Sequence, residues 1–405
     1  MHTQDIQTHC CVAGGGPAGI MLGFLLARAG IPVTVLEKWP DFFRDFRGDT
    51  IHPSTLEALS ELGLLDAFLS LPHNKTTVFS AEIGGKHISV ADFSHLPVKS
   101  PYLAFIPQWD FLNFIAKEAQ KLPHFQLLMG TEAVDLIEEN NTIVGVKAKN
   151  SEGEFTIRAT LVVGADGRHS TVREKSQLPL TEIGAPMDIL WFSLSHKKGD
   201  PTGSVFRLDF GRMMIMIDRG DYWQCGFVIQ KGYFEAMQKM PIEKFYADIE
   251  MIAPELRDRF NEIPTWDKIK LLQVSVNRLK KWHRPGLLCI GDAAHAMSPV
   301  GGVGINLAIQ DAIATANILA PSLLNNTLSE SDLAKVQKRR EPPMIKTQRM
   351  QVLIQNHVIK GVLSNNGSHM KTPLFLKLLQ HIPILRRIPA KFIGMGFLPE
   401  HIRNV

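Results

Sequence analysis

The sequence predicts an α/β fold: a doubly wound, Rossmann-like domain, interrupted by an inserted, mostly antiparallel sheet and followed by a helical C-terminal segment. Three observations carry this. A short apolar strand, a glycine turn, an apolar helix and a β-branched strand ending in an acid fill residues 10–37, a βαβ unit of about 30 residues. Two later apolar runs, Leu161–Ala165 and Gly286–Ile290, each lead straight into an aspartate beside a glycine. Between them, residues 187–230 lose helical period and become rich in aromatics, methionine and β-formers.

Each element follows from local chemistry. Cys10–Ala13 is an apolar strand, Ile20–Ala29 a helix stopped by Gly30, and Pro32–Glu37 a strand. Residues 52–68 read as a helix with Leu56, Leu59, Leu62 and Leu65 spaced by three. Gly84-Gly85 predicts a hairpin within 76–104, and Trp109–Leu122 an amphipathic helix. Strands are expected at 125–128, 133–138, 143–149, 155–159 and 161–165. Arg212–Ile217 and Tyr222–Ile229 flank Asp218-Arg219-Gly220-Asp221 as an antiparallel hairpin. Residues 232–262 read as helical, Lys268–Val276 as a strand, Gly286–Ile290 as a buried strand and Ile305–Leu319 as a helix. From Ser331 the chain reads as helices broken at Pro342-Pro343, Pro373, Pro383 and Pro389. The expected division is 1–75, 105–180 and 281–330 in the first domain, 76–104 and 181–280 in the second, and 331–405 as the C-terminal segment.

Composition excludes several classes. At 45% hydrophobic residues the 405-residue chain is too apolar for disorder. Four cysteines make no disulfide scaffold, and without a C-x-x-C no structural metal site is expected. A net charge of +4 rules out nucleic-acid binding driven by bulk charge. That charge is uneven: residues 331–405 carry thirteen lysines and arginines against three acids, so the tail is net +10 and the rest net −6. The first apolar stretch, Gly19–Ala27, is too short for the roughly 20 residues a bilayer needs. The chain therefore reads as cytoplasmic, with no transmembrane segment.

Three motifs carry chemistry. In Gly14-x-Gly16-x-x-Gly19, the glycines allow a tight turn, close approach of a pyrophosphate, and tight packing of helix on strand. Pro17 and Ala18 lie in that turn, just ahead of a helix whose free N–H groups favour anions. Glu37, 18 residues past Gly19, stands where a ribose is bound, with Lys38 after it. The second motif runs from Leu161 through Asp166-Gly167 to Ser170 and Arg173. The third is Gly291-Asp292, followed by His295 and the loop Pro299, Val300, Gly301, Gly302, Val303, Gly304, Ile305 and Asn306. Its glycines present backbone N–H groups to an anionic edge, and Asp292 suits a sugar-alcohol hydroxyl.

Together, in this order and spacing, the motifs resemble the FAD-dependent aromatic hydroxylases, single-component flavoprotein monooxygenases related to para-hydroxybenzoate hydroxylase. The resemblance covers about residues 8–350. It implies that Gly14, Gly16, Gly19 and Glu37 hold the ADP end of FAD, that Arg47 and Gln108 lie near the cofactor, and that Asp166 serves both FAD and NAD(P)H. It also implies that Asp292 contacts the ribityl chain and that Pro299 and Gly301–Asn306 face the flavin ring. No second G-x-G-x-x-G is present, so NADH or NADPH is expected as a transient donor without its own Rossmann domain. No W-x-W-x-I-P occurs, which argues against the halogenase branch.

By resemblance the reaction is hydroxylation of an apolar, aromatic small molecule with NAD(P)H and O2, through a flavin 4a-hydroperoxide, with no protein side chain assigned a catalytic role. A reductase or dehydrogenase without oxygen insertion, or a non-catalytic redox-responsive flavoprotein, are the alternatives. Substrate contacts are expected from the middle sheet: Trp191, Phe206, Met214, Met216, Trp223, Cys225 and Phe227. His295, Cys10 and Cys11 read as structural. The basic tail reads as a helical cap on the flavin domain. The competing reading is peripheral attachment to an anionic membrane near a lipophilic substrate.

Overall fold

The computed structural model describes residues 5–43, 50–201, 203–363, 369–370 and 373–403. The opening unit is β1 (Ile6–Ala13), α1 (Pro17–Arg28) and β2 (Val33–Glu37). β1 lies at the centre of a parallel sheet. On one side it pairs with β2, which pairs with Phe125–Met129. On the other it pairs with Gly153–Gly164, which pairs with Leu287–Cys289. The chain therefore leaves β1 for one side of the sheet and returns on the other. Such a reversal opens a crevice at the carboxyl ends of the strands. Glu132–Glu139 and Thr142–Asn150 extend this sheet antiparallel beside the start of Gly153–Gly164.

Parallel strands covered on both faces are apolar throughout, and Cys10–Ala13 and Leu161–Val163 are wholly buried. Burial pushes the Cys10 thiol up and the Cys11 thiol up to about 12, so both are inert core side chains. α1 packs against the long helix Gly304–Leu324 on one side and Gln108–Ala119 on another.

A second, seven-stranded sheet runs in the order Lys270–Leu272, Met187–Ser195, Tyr222–Gln230, Arg212–Asp218, Val205–Asp209, Val78–Ile83, Lys86–Asp92. All its pairs are antiparallel except Val205–Asp209 with Val78–Ile83. Gly84 (φ +57°) and Gly85 (φ +71°) make the two-residue hairpin turn. Segments distant in sequence thus share one sheet.

Several expectations change. Residues 155–159 and 161–165 form one strand, Gly153–Gly164, because edge and centre partners take successive parts of it. Gly63, at φ +74°, splits the expected 52–68 helix into Pro53–Glu61 and Leu65–Leu69. Only Lys270–Leu272 of 268–276 pairs as a strand. The tail helix Glu330–Ile354 runs straight through Pro342-Pro343. Tertiary contacts outweigh the lost backbone bonds there: Pro343, Met344 and Arg340 are all buried. Pro389 sits in the first turn of Arg387–Met395, where no amide partner is needed. Val300–Leu324 is long and apolar enough to cross a membrane, yet it is a core helix here, and its buried Asp311 is ion-paired.

Candidate functional site

Because β1, Gly153–Gly164 and Leu287–Cys289 are parallel neighbours, the three motifs that follow them emerge side by side. Backbone bonds knit the junction: Gly14 N–H to Leu36 O at 2.8 Å, Ala165 N–H to Ala13 O at 2.8 Å, and Ile290 N–H to Gly164 O at 2.9 Å. Gly14 has φ +105°, and a Cβ there would stand 2.5 Å from the Ala165 carbonyl oxygen. A Cβ on Gly19 would stand 1.9 Å from Gly14 O. These two glycines are required by packing within the protein itself.

Gly16 is different. It precedes α1 with extended backbone at φ −69°, and a Cβ there would meet nothing within 4 Å. Gly304, at the start of Gly304–Leu324, is equally open. Two helix N-termini thus offer backbone N–H groups beside unfilled space, as a dinucleotide's phosphates and a flavin's anionic edge require. FAD fits this cradle.

Glu37 ends β2 with one carboxylate oxygen accepting from Gly15 N–H and the other from Trp39 N–H, both at 3.1 Å. This orders the carboxylate above the glycine turn. Lys38 is exposed, with Nζ 5.5 Å from the Trp39 ring centre. Pro17 and Ala18 form the first turn of α1, and Ala18 lies close to Gly291, where a Cβ would be 3.2 Å away. Gln108 is half-buried at the start of its helix. Arg47 lies outside the described residues.

The Asp166 carboxylate turns inward, accepting from the Ser170 hydroxyl and from Val172 N–H at 3.1 Å. Burial raises its pKa despite those donors. Its visible work is to fold the segment after Gly164. Arg173 then joins the second and third motifs: Nη1 donates to Ala293 O at 3.1 Å and Nη2 to Arg168 O at 2.6 Å. Asp292 stays about one-third exposed, with the Arg168 guanidinium 3.6 Å away.

The glycine loop is bent by Gly301 (φ +79°) and Gly302 (φ +62°). Asn306 points back into it. Its Oδ1 accepts from His52 N–H at 2.9 Å and Thr55 Oγ1 at 2.7 Å, and its Nδ2 donates to Thr50 O at 3.2 Å. Asn306 therefore fixes the loop to the Thr50–Thr55 segment, while Pro299, Gly301, Gly302, Gly304 and Ile305 form the outer contour.

Two buried networks were not foreseen. Asp311 accepts from Gly291 N–H at 3.1 Å, bonds His295 Nε2 at 2.6 Å and accepts from Arg340 Nε at 2.9 Å, and Arg340 reaches Glu400 at 3.1 Å. Burial opposes the Asp311 charge, but His295 and Arg340 outweigh it and hold the carboxyl below its usual range. In addition, three glutamines of the tail clasp the loop. Gln348 donates to Ala296 O at 3.2 Å and Asn277 O at 2.9 Å, Gln351 to Ser298 O and Val300 O at 2.8 Å each, and Gln355 to Ser298 Oγ at 2.6 Å. A lone acid in an alanine-rich helix was the readable sign of the first network; no local pattern marked the second.

The substrate expectations divide by face. Trp191, Gly226, Ile215 and Phe206 form one cross-strand row. The Trp191 ring lies over Gly226, where a Cβ would be 3.0 Å from it. This face packs with Phe105, Ile217 and Val300 of the glycine loop, and Phe206 meets Phe79 at 4.6 Å. Met214, Met216, Trp223, Cys225 and Phe227 lie on the opposite face, in a core with Phe245, Ile249 and Leu256, and Phe227 also lines a cleft on that side. Trp223 Nε1 is bonded to Asp200, which Arg259 grips with two bonds of 2.6 Å. Both faces of this sheet are apolar and covered, so alternation could not tell them apart. A cleft of about 640 Å³ opens between Phe210, Tyr233 and Leu363, and none of its lining residues belongs to the three motifs.

Comparison with known proteins agrees with this geometry. The family described as FAD binding domain matches residues 7–349. The chain is 32% identical over 349 residues to 6-methylpretetramide 4-monooxygenase of Streptomyces rimosus, covering 86% of this chain and 83% of that protein. It is 23% identical over 338 residues to para-nitrophenol 4-monooxygenase of Pseudomonas sp. (strain WBC-3), covering 79% of each. The crystal structure of p-nitrophenol 4-monooxygenase PnpA from Pseudomonas putida DLL-E4 superposes with a TM-score of 0.79 at 19% identity, over 96% of this chain and 97% of that one, and so shares the fold. The open glycine cradle, the three converging motifs and the match over most of the chain have one reading: this chain belongs to the FAD binding domain family of the flavoprotein monooxygenases.

Proposed function

We propose that this chain is an NAD(P)H- and O2-dependent FAD monooxygenase that hydroxylates an apolar, aromatic small molecule. The observation that supports it most is the Trp191 face. An apolar wall of a second sheet packs with Val300 of the glycine loop, which supports an apolar substrate bound beside the loop expected to face the isoalloxazine. Relatives whose names give aromatic substrates support the same class.

Bound FAD would supply hydride acceptance and oxygen activation. The chain's own residues bind and shape. The N–H groups around Gly16 would take the pyrophosphate, Glu37 the adenosine ribose and Asp292 the ribityl hydroxyls. Asn306 and the three tail glutamines hold the loop contour. Trp191 and Val300 would keep water from the reacting centre.

The test is direct. The purified protein is reconstituted with FAD, and NADH and NADPH oxidation is followed with and without phenols and polycyclic phenolic substrates. Substrate-stimulated oxidation with an oxygenated product is expected. Flavin reduction with no oxygenated product would replace this reading with a reductase, and FAD binding without turnover with a non-catalytic flavoprotein.

A further inference from the structure

We propose that the last helices of the chain form a docking surface for an anionic lipid bilayer. Leu374–His381 and Arg387–Met395 pack along Lys86–Asp92, the edge strand of the second sheet. Their inner side is well seated. Leu376 is buried among Ala81, Ile83 and Ile88. Ala390 and Gly394 are buried, and a Cβ on Gly394 would stand 2.9 Å from Leu96.

The outer side is also apolar and is uncovered. Leu374, Phe375 and Leu378 fall at i, i+1 and i+4, one stripe opposite Leu376, and Ile382 follows directly after the helix. They are 75, 52, 47 and 43% exposed, and Ile384 and Ile388 continue the patch at 61 and 56%. Soluble surfaces scatter such side chains singly; a contiguous group marks an interaction site.

Charge selects the occupant. Between Glu341 and Glu400 the sequence contains no acid. Lys377, Arg387 and Lys391 are exposed beside the stripe; Arg387 meets His95 Nε2 at 3.3 Å, and none of the three pairs with an acid among the described residues. Arg386 ties the two helices together, donating to Leu379 O at 2.8 Å and Gln380 O at 3.1 Å. A second copy on this patch would set cations against cations, whereas anionic headgroups complement them while the stripe enters the acyl boundary. Helices of eight and nine residues reach about 12–14 Å, far less than a bilayer. They can lie in the interface but not cross it. The contact would bring the second sheet to the membrane surface, where lipophilic molecules collect.

The FAD-loaded full chain is mixed with phosphatidylcholine vesicles, with and without phosphatidylserine, at low and high salt, and pelleted. Binding to the phosphatidylserine vesicles at low salt is expected, at least tenfold weaker in high salt. Leu378→Asp with Ile384→Asp, and separately Arg387→Glu with Lys391→Glu, should each weaken it at least tenfold. Both pairs are exposed, and unchanged flavin content and thermal midpoint confirm folding. Wild-type protein left in the supernatant overturns the proposal. So does equal binding by folded variants, or a dimer in sedimentation velocity that Leu378→Asp with Ile384→Asp dissolves.

Discussion

Gly16→Ser separates the cofactor cradle from the fold. Gly16 is the residue before α1, its backbone is extended, and a Cβ there meets nothing within 4 Å. Serine is among the best residues at that helix position, so the apoprotein should change by no more than about 0.5 kcal/mol. The hydroxyl, however, accepts the N–H bonds of the first turn and fills the space a pyrophosphate needs. A hydrogen bond to a charged group contributes about 1.5–3 kcal/mol. Losing one should weaken FAD binding by roughly ten- to a hundredfold. Urea unfolding of the apoprotein and flavin-fluorescence titration measure the two effects separately. Wild-type affinity in a folded Gly16→Ser protein would refute the phosphate assignment. A destabilised apoprotein would refute the open-space reading. Gly19→Ala is the control: with backbone oxygen 1.9 Å from the new Cβ, it should fail to fold.

Other perturbations test the supports. Asp311→Leu strips Arg340 and His295 of their shared carboxylate, and uncovering a buried charge should cost about 3–5 kcal/mol in urea unfolding. Gln351→Leu leaves the Ser298 and Val300 carbonyls without this donor. Stability should fall by about 2 kcal/mol, and FAD should dissociate faster in a stopped-flow chase. His52 is fully buried with Nδ1 bonded to Ile393 O at 2.5 Å. Burial lowers its pKa from 6.5 to about 4, with backbone contacts to Ile393 and Gly302 opposing. The folded value lies below the unfolded one, so this contribution is complete above pH 6.5 and is lost as pH falls toward 4. It is worth about 3 kcal/mol at most. The urea midpoint should drop across that window in the wild type and drop less in His52→Gln.

The FAD-binding half was legible because its signals are local. Gly14, Gly16 and Gly19 follow one strand, and Asp166 and Asp292 each follow another. Aspartates at strand ends are readable, but their contacts are not. Asp166 spends its oxygens on Ser170 and Val172, and Asn306 turns to Thr50 and His52, because the segments that meet them come from elsewhere in the chain. The two faces of the second sheet cannot be told apart in the sequence for a different reason. Met214 and Met216 alternate with Met213 and Ile215, and both sets are apolar, since one face packs on helices and the other on the glycine loop.

By itself, then, the sequence determined the fold class, the order of the three motifs and the cofactor chemistry. Each depends on residues within a few positions of one another, and on glycines whose backbone needs no partner to be recognised. Tertiary structure alone decided which face of the second sheet meets the loop. It also decided that Gln348, Gln351 and Gln355 clasp Ala296–Val300, and that Asp311 gathers His295, Arg340 and Gly291. Those contacts join residues tens to hundreds of positions apart. Their partners are set by how the sheets and the tail pack, which no spacing in the chain encodes.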